Sequence, residues 1–439
     1  MQDFGMLWVI WIENSKFAIV MKKMNGAAIA LMMATAMTVG CSTSNEDDPK
    51  PVIDPVEPPT TLKLTRAEQE MVSSSNDFAF NLFREAQEPK KSLILSPISI
   101  TYALGMLNNG AAGETQQQIN KVLGFSETGA DGINDFCYKM LQRAATLDEQ
   151  TKVLIADNIY MNKGYELLPE FKSKAKTFYD ADAETRDFYD GKTRDVINKW
   201  GSDHTEGMIK EVLKEEEFNP DFVSYLLNAI YFKGTWQHQF DKELTTKELF
   251  LTSDILSEAV EVPMMHQRAE FEYAETDEYK ALRLPYGNGS FLLTVILPKV
   301  AASGNEEPLV MDVSSIETWQ QINQKMSVTL VDVALPRFES DTDINLIPIM
   351  KKLGMTRAFM PAAEFPNFCN TETYIGLMKQ VAKIKLDEEG TEAAAVTVIG
   401  MDKGEPVYQK FHANHPFLYV ISEKETGAIF FIGQYTGYK

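Results

Sequence analysis

From Leu64 onward, apolar and polar positions alternate with helical or strand spacing and few interruptions. Ala67 to Ala86 predicts an amphipathic helix anchored by Phe78, Phe80, Leu82 and Phe83. Ser92 to Leu95 reads as a short strand ending at Ser96-Pro97. Ser99 to Asn109 reads as a buried helix stopped by Gly110, with two more helices over Glu114 to Leu123 and Gly132 to Leu147. Lys152 to Met161 alternates as a strand. Thr193 to Leu213 predicts one long helix on Val196, Ile197, Trp200, Met208 and Ile209, and Asp221 to Phe232 is a strand-like apolar run. Strands dominate from Ala259 to Pro298, and a helix follows near Ile316 to Met326. Val328 to Phe338 alternates again, Leu346 to Leu353 is helical, and Leu377 to Leu386, Phe417 to Ile421 and Ala428 to Tyr435 are strands. Helices cluster early and strands late, without a fixed-period repeat, which predicts an α+β domain over residues 64–439.

One segment fits neither pattern cleanly. Glu388-Glu389-Gly390-Thr391-Glu392-Ala393-Ala394-Ala395 leads into Val396, Thr397, Val398 and Ile399. Three alanines favour helix, whereas the β-branched run after them favours strand. At a spacing of two, Thr391, Ala393, Ala395, Thr397, Ile399 and Met401 share one face, small at first and apolar later. Glu392, Ala394, Val396, Val398, Gly400 and Asp402 share the other. No proline falls between Glu392 and Glu405, so each residue there keeps its backbone donor. The pattern is that of a loop able to become a strand.

Ahead of the domain, the chain reads as processed. Residues 1–20 form an upstream extension before Met21, where a basic start, Lys22-Lys23, precedes an apolar and small-residue run from Gly26 to Gly40. Residues 21–40 therefore have the layout of a signal peptide. Thr38-Val39-Gly40-Cys41 resembles a bacterial lipobox, with Thr38 where Leu is common, which makes Cys41 the expected lipidation site. Residues 41–63 carry five prolines between Ser42 and Thr61 and read as a disordered tether. The acidic Ser44-Asn45-Glu46-Asp47-Asp48 resembles the signal that sends lipoproteins to the cell surface. The expectation is a lipid-anchored outer-membrane protein of a bacterial envelope, exposed at the surface or released.

The 439 residues are 44% hydrophobic, enough for a large core, and the formal net charge of −21 disfavours nucleic acid, which is bound through clustered Lys and Arg. Cys137 and Cys369 lie far apart and imply neither a disulfide framework nor a metal site; Cys137, between Phe136 and Tyr138, reads as a small buried hydrophobe. The five histidines include no pair at metal-binding spacing on a helix, and neither a Gly-x-Ser-x-Gly elbow nor a Gly-x-x-x-x-Gly-Lys loop occurs. No nucleophile stands beside a base. A lipid-anchored hydrolase with a dispersed carboxylate pair is the competing enzyme reading.

The positive signals run in a recognisable order: Ser96-Pro97-Ile98-Ser99, Asn228-Ala229-Ile230-Tyr231-Phe232-Lys233-Gly234-Thr235-Trp236, Val262-Pro263-Met264-Met265, Leu284-Pro285-Tyr286, Leu335-Pro336-Arg337-Phe338, Leu353-Gly354-Met355, Glu388 through Ala395, and Asn414-His415-Pro416-Phe417-Leu418. With Asn198-x-Trp200 and Thr205-x-Gly207-x-Ile209, the chain resembles the serpin family over about residues 65–439. The resemblance implies a large central β-sheet with two further sheets, about eight to nine helices and an exposed reactive-centre loop. It implies a monomer that is not an enzyme: a suicide-substrate inhibitor of serine, and also cysteine, endopeptidases, which traps the acyl-enzyme when its cleaved loop inserts into the sheet. The alternative is a non-inhibitory serpin that binds a ligand or is simply cut.

By the same resemblance Glu388, Glu389, Gly390, Thr391, Glu392, Ala393, Ala394 and Ala395 are the hinge. Thr391, Ala393 and Ala395 face inward, while Glu392 and Val396 face outward, where charge and bulk are tolerated. Counting fourteen residues beyond Gly390 puts the residue before the cut at Gly404, whereas counting eleven back from Pro416 puts it at Glu405. Lys403 is the basic side chain nearby. Cleavage at Lys403 or the next bond suits a trypsin-like protease, and cleavage after Met401, Val398 or Ile399 a chymotrypsin- or elastase-like one; a solvated loop charge is the plain alternative for Lys403. Arg337 and Glu388 are implied as an ion pair near Trp236 at the top of the sheet. Ser96, Ser99 and Asn228 are implied as a polar cluster where strands part, with Gln380 in the family's histidine position. No cofactor is implied: Lys139 and Arg143 are offset by Asp131 and Asp135 on the helix where some members bind heparin.

Overall fold

The computed structural model describes residues 2–5, 64–144, 147–148, 151–252, 259–299, 310–388 and 407–437. The signal segment 21–40, Cys41 and the tether up to residue 63, the hinge from Glu389 to Ala395, and Lys403, Gly404 and Glu405 lie outside the described residues.

Fifteen strands are described: β1 (Gln2–Gly5), β2 (Leu93–Leu95), β3 (Lys152–Asn162), β4 (Asp182–Arg186), β5 (Ser224–Gly234), β6 (Thr246–Leu251), β7 (Ala259–Glu275), β8 (Tyr279–Tyr286), β9 (Phe291–Pro298), β10 (Ser327–Pro336), β11 (Phe338–Asn345), β12 (Lys379–Leu386), β13 (Gln409–His412), β14 (Phe417–Glu423) and β15 (Ile429–Tyr435). The described helices are α1 (Arg66–Ala86), α2 (Pro97–Asn108), α3 (Gly113–Leu123), α4 (Gly129–Ala144), α5 (Pro169–Tyr179), α6 (Thr193–Asp203), α7 (Val310–Val313), α8 (Ile316–Lys325) and α9 (Ile347–Lys352).

The central sheet runs β11-β12-β1-β5-β3-β4. β3 and β4 are parallel, and the other neighbours are antiparallel. Among the described residues β5 and β12 do not pair with each other; each pairs with β1, through Phe4 opposite Phe232 and Ile384. At one ladder spacing per neighbour, β5 and β12 therefore stand about 9.5 Å apart. The remaining strands form a hydrogen-bonded path that divides at the 17-residue β7. Its outer part joins β6, β10 and β13, and its end continues through β8, β9, β14, β15 and β2. Of these, β9, β14, β15 and β2 are buried throughout and read as largely apolar runs, such as Phe291–Pro298.

Two helices fix the surroundings of the central sheet. α2 starts with Pro97 in its first turn and is buried almost all round. At Gly105 it passes so close to α4 and α5 that a Cβ would come within 2.5 Å of Ile133 and 2.8 Å of the Tyr179 hydroxyl. α6 lies on the opposite face of the sheet, where Ile197 and Leu213 pack with Tyr160, Phe188, Tyr225 and Leu227. It ends at Asp203, ten residues before the predicted end. The Thr205 hydroxyl bonds the Gly201 carbonyl and the Ile209 amide, and Glu206 (φ 45°) and Gly207 (φ 79°) adopt left-handed conformations that a helix cannot continue through. Met208 and Ile209 belong to a linker that runs from α6 back to β5. Cys137 is buried and free.

Candidate functional site

Trp236, Arg337 and Glu388 meet at the upper end of the gap between β5 and β12. Trp236 follows β5, stacks on Tyr286 at 4.5 Å between ring centres, and donates its indole N–H to the Asp387 carbonyl at 3.0 Å. Glu388, 3% exposed, accepts from the Thr245 hydroxyl at 2.7 Å and from the half-exposed Arg337 guanidinium at 3.3 Å. Burial opposes ionisation of Glu388, but the Thr245 hydrogen bond and the Arg337 charge prevail and hold its carboxyl below the usual value. The last described residue before the hinge is thus pinned at the mouth of the gap. Thr245 escaped sequence reasoning because nothing local marks a threonine whose partner lies 143 positions away.

Halfway down, Ser96, Ser99, Asn228 and Gln380 converge as two bonded sets. Gln380, on the inner side of β12, closes a two-way bond with the Ser96 backbone: the Ser96 amide donates to Gln380 Oε1 and Gln380 Nε2 donates to the Ser96 carbonyl, both at 3.0 Å. The Ser96 hydroxyl donates to Phe430 O at 2.8 Å. Across the gap, the Ser99 hydroxyl donates to Asn228 Oδ1, and Asn228 Nδ2 donates to Asp157 Oδ1 at 2.9 Å. Gln380 can do this because an amide donates and accepts at once.

Asp157 is the residue the sequence reading passed over. It is 5% exposed on β3, opposite Asn228, and among the described residues its Oδ2 has no hydrogen-bond partner. Burial, helped by the negative charge of Asp180, pushes its carboxyl from 3.8 up to about 7 against the pull of the Asn228 hydrogen bond. The available signal was a lone acid in the apolar run Val153-Leu154-Ile155-Ala156.

At the lower of these two levels and below it lies a cavity of about 320 Å³. Val223 with β5 from Ser224 to Ala229 and β12 from Lys379 to Val381 form its sides, and Ser99, Ile100 and Leu104 of α2 lie along one face. Trp200 of α6 and Val212 and Leu213 of the linker lie along the other. The cavity continues downward the strand position that β1 occupies at the top, and it is covered on both faces. Among the described residues no group of three or more His, Cys, Asp or Glu side chains is placed to hold a metal ion, and no helix is long and apolar enough to cross a membrane.

A large mixed sheet whose strands β5 and β12 part around a strand position that β1 fills at its upper end, with helices on both faces, defines the serpin class. The chain belongs to the serpin family: the family model for serpins (serine protease inhibitors) matches residues 73–437. It is 31% identical to chicken (Gallus gallus) neuroserpin over 393 residues, 86% of this chain and 93% of the relative. Among solved structures, the native thermophilic serpin tengpin is similar with a TM-score of 0.74 and 26% identity, over 87% of this chain and 97% of tengpin. Human thyroxine-binding globulin complexed with its ligand is similar with a TM-score of 0.73 and 26% identity, over 84% and 98%. The structures similar to this chain thus include a thyroxine-binding globulin.

Proposed function

We propose that the protein inhibits serine endopeptidases, and cysteine endopeptidases that form acyl-enzymes, as a suicide substrate. The observation that carries this reading is that β5 and β12 part by a strand's width and accept another strand, β1, between them at the upper end, with Glu388 fixed at the mouth. The protease nucleophile attacks a loop carbonyl near Lys403, the peptide bond breaks, and the new amino end departs with the C-terminal segment. The freed hinge end reverses at Glu388–Gly390, takes the place of β1 between β5 and β12, and runs down antiparallel to β12, carrying the acyl-linked protease with it. Inhibition is kinetic: insertion must outrun hydrolysis of the acyl bond.

The side chains suit this path. Thr391, Ala393, Ala395 and Thr397 take the face shared by Leu386, Ile384, Ala382 and Gln380, which are buried against the α2 side. The narrow space there favours small residues. Glu392 and Ala394 take the outer face, where the top of β12 offers Lys385 and Lys383, so Glu392 gains an opposite charge across the strand pair. Lys403 suits a trypsin-like target; Met401 and Ile399 suit chymotrypsin- or elastase-like ones. In the same reading, a leader over residues 21–40 and a lipid on Cys41 anchor the inhibitor to a bacterial outer membrane through the 41–63 tether.

Heat separates the possibilities. The protein cut in its loop is expected to melt well above the intact protein by circular dichroism, since a full strand with two ladders has been added. Equal melting of cut and intact forms rejects insertion in favour of a non-inhibitory binding protein or a mere substrate.

A further inference from the structure

The cavity that continues the strand position downward has the properties of a small-molecule site. Its volume of about 320 Å³ falls in the range of ligand pockets. Its apolar part is built by Ile100, Leu104 and Leu107 of α2 on one face and by Trp200, Val212 and Leu213 on the other. Its side-chain amides, Asn228 and Gln380, stand at the upper end beside Ser99. Gln380 uses one donor and one acceptor on the Ser96 backbone, and an amide has a second of each to offer. Asn228 is bonded in turn to Asp157, whose carboxyl burial pushes up to about 7. A mainly apolar pocket with a few convergent polar groups, and a displaced pKa beside it, is the usual form of a binding site.

The charges around the cavity decide which ligands fit. Lys379 is the one cation among the described lining residues, and its Nζ is held by Glu217 Oε2 at 2.8 Å and Asp343 Oδ1 at 2.7 Å. The two lining acids, Asp221 and Glu372, are exposed. A charge carried deep into the cavity would therefore lose its water and meet no free opposite charge among the described lining residues. The loop obeys the same rule: with Thr397 on the face of Gln380, the stretch destined for the cavity is Val396-Thr397-Val398-Ile399, which carries no charge. We propose that the cavity binds an uncharged, mainly apolar small molecule with one hydrogen-bonding group at its end, and that this ligand holds back insertion by occupying the strand's place. The binding stands on the cavity alone, whereas the restraint rests on the insertion reading above.

The test titrates the full chain with N-phenyl-1-naphthylamine, an uncharged aromatic amine with one N–H, and with 8-anilino-1-naphthalenesulfonate, the same ring system carrying a negative charge. Probe fluorescence should saturate at a single site for the neutral compound, with the anionic one bound at least about tenfold more weakly. Ala103→Phe and Val212→Phe fill the cavity from opposite faces and should each remove most of that binding, in chains whose melting shows them folded. Loop-cut chain, in which the strand fills the cavity, should lose the site. Saturating neutral probe should raise the number of intact chains consumed per trapped protease without slowing loop cleavage. An intact chain that leaves the neutral probe dark, equal affinity for the two probes, or unchanged affinity in both filled variants overturns the site. An unchanged number of chains consumed, or a cut form that melts above the intact one yet keeps the probe, overturns the restraint. A cut form that keeps the probe and melts no higher overturns the insertion reading, and the restraint with it, while titration of the intact chain still decides the site.

Discussion

Val398→Glu is expected to leave the loop fully cleavable while abolishing the trap. The sequence alone places Val396 and Val398 on the outward face of the inserted strand, where bulk and charge look harmless. The structure changes the meaning of outward at that depth. Opposite Lys379 and Val381 the outer face is covered by Trp200, Val212 and Leu213, and only the upper end, beside Lys383 and Lys385, is open. A carboxylate carried beneath that cover loses its water, at a cost of several kcal/mol. Each ~1.4 kcal/mol added to the insertion barrier slows it about tenfold, so deacylation wins and the protease is released active. Glu392→Ala, at the open mouth, should change the number of inhibitor molecules consumed per protease by less than about twofold. Titrating active protease with each variant checks both; a Val398→Glu variant that traps as the parent does would remove the covered path from the account.

The second large effect concerns Asp157. Its folded-state carboxyl is pushed up to about 7 from 3.8, so between about pH 4 and pH 7 the folded protein binds a proton that the unfolded chain releases. Stability contributed by this group therefore falls as pH rises through that window and levels off above it. The groups around it give no relief: Tyr102 of α2, Cys137 of α4 and Tyr179 of α5 are buried with their own pKa values raised by burial, and Asp180 adds negative charge. Asp157→Asn keeps the acceptor for Asn228 and removes the titration. Its stability relative to the parent should rise by about 2–3 kcal/mol from pH 5 to pH 8, read from urea midpoints. A pH-independent difference between the two proteins would mean that Asp157 ionises normally.

What the sequence disclosed and what it hid divide along physical lines. α1 was legible because its cap and apolar anchors are local: Thr65 and Glu68 bond reciprocally at its start, and Phe78, Leu82 and Phe83 are buried. β11 was not, since Phe338-Glu339-Ser340-Asp341-Thr342-Asp343 alternates small polar residues with charges, and its buried face is Ser340 and Thr342. α5 and β4 escaped for want of a strong stripe. The residues at the mouth of the gap could be placed by resemblance, and the structure brings Arg337, Glu388 and Trp236 together there. The linker cover and the buried acid could not be read, because each joins positions scores to hundreds apart whose partners only the fold assembles. Their consequence was an altered reading of Val398, from a tolerated surface side chain to one that must slide beneath α6 and its linker.

The central claim is that a cut loop enters the gap before the acyl bond is hydrolysed. Incubating the full chain with a panel of serine and cysteine proteases tests it directly, with denaturing gels to find covalent complexes and mass spectrometry to weigh the released C-terminal peptide. The account predicts a complex with at least one trypsin-like protease that survives denaturation, together with a peptide beginning at Gly404 or Glu405. Cleaved protein alone, with every protease that cuts the loop, would contradict it.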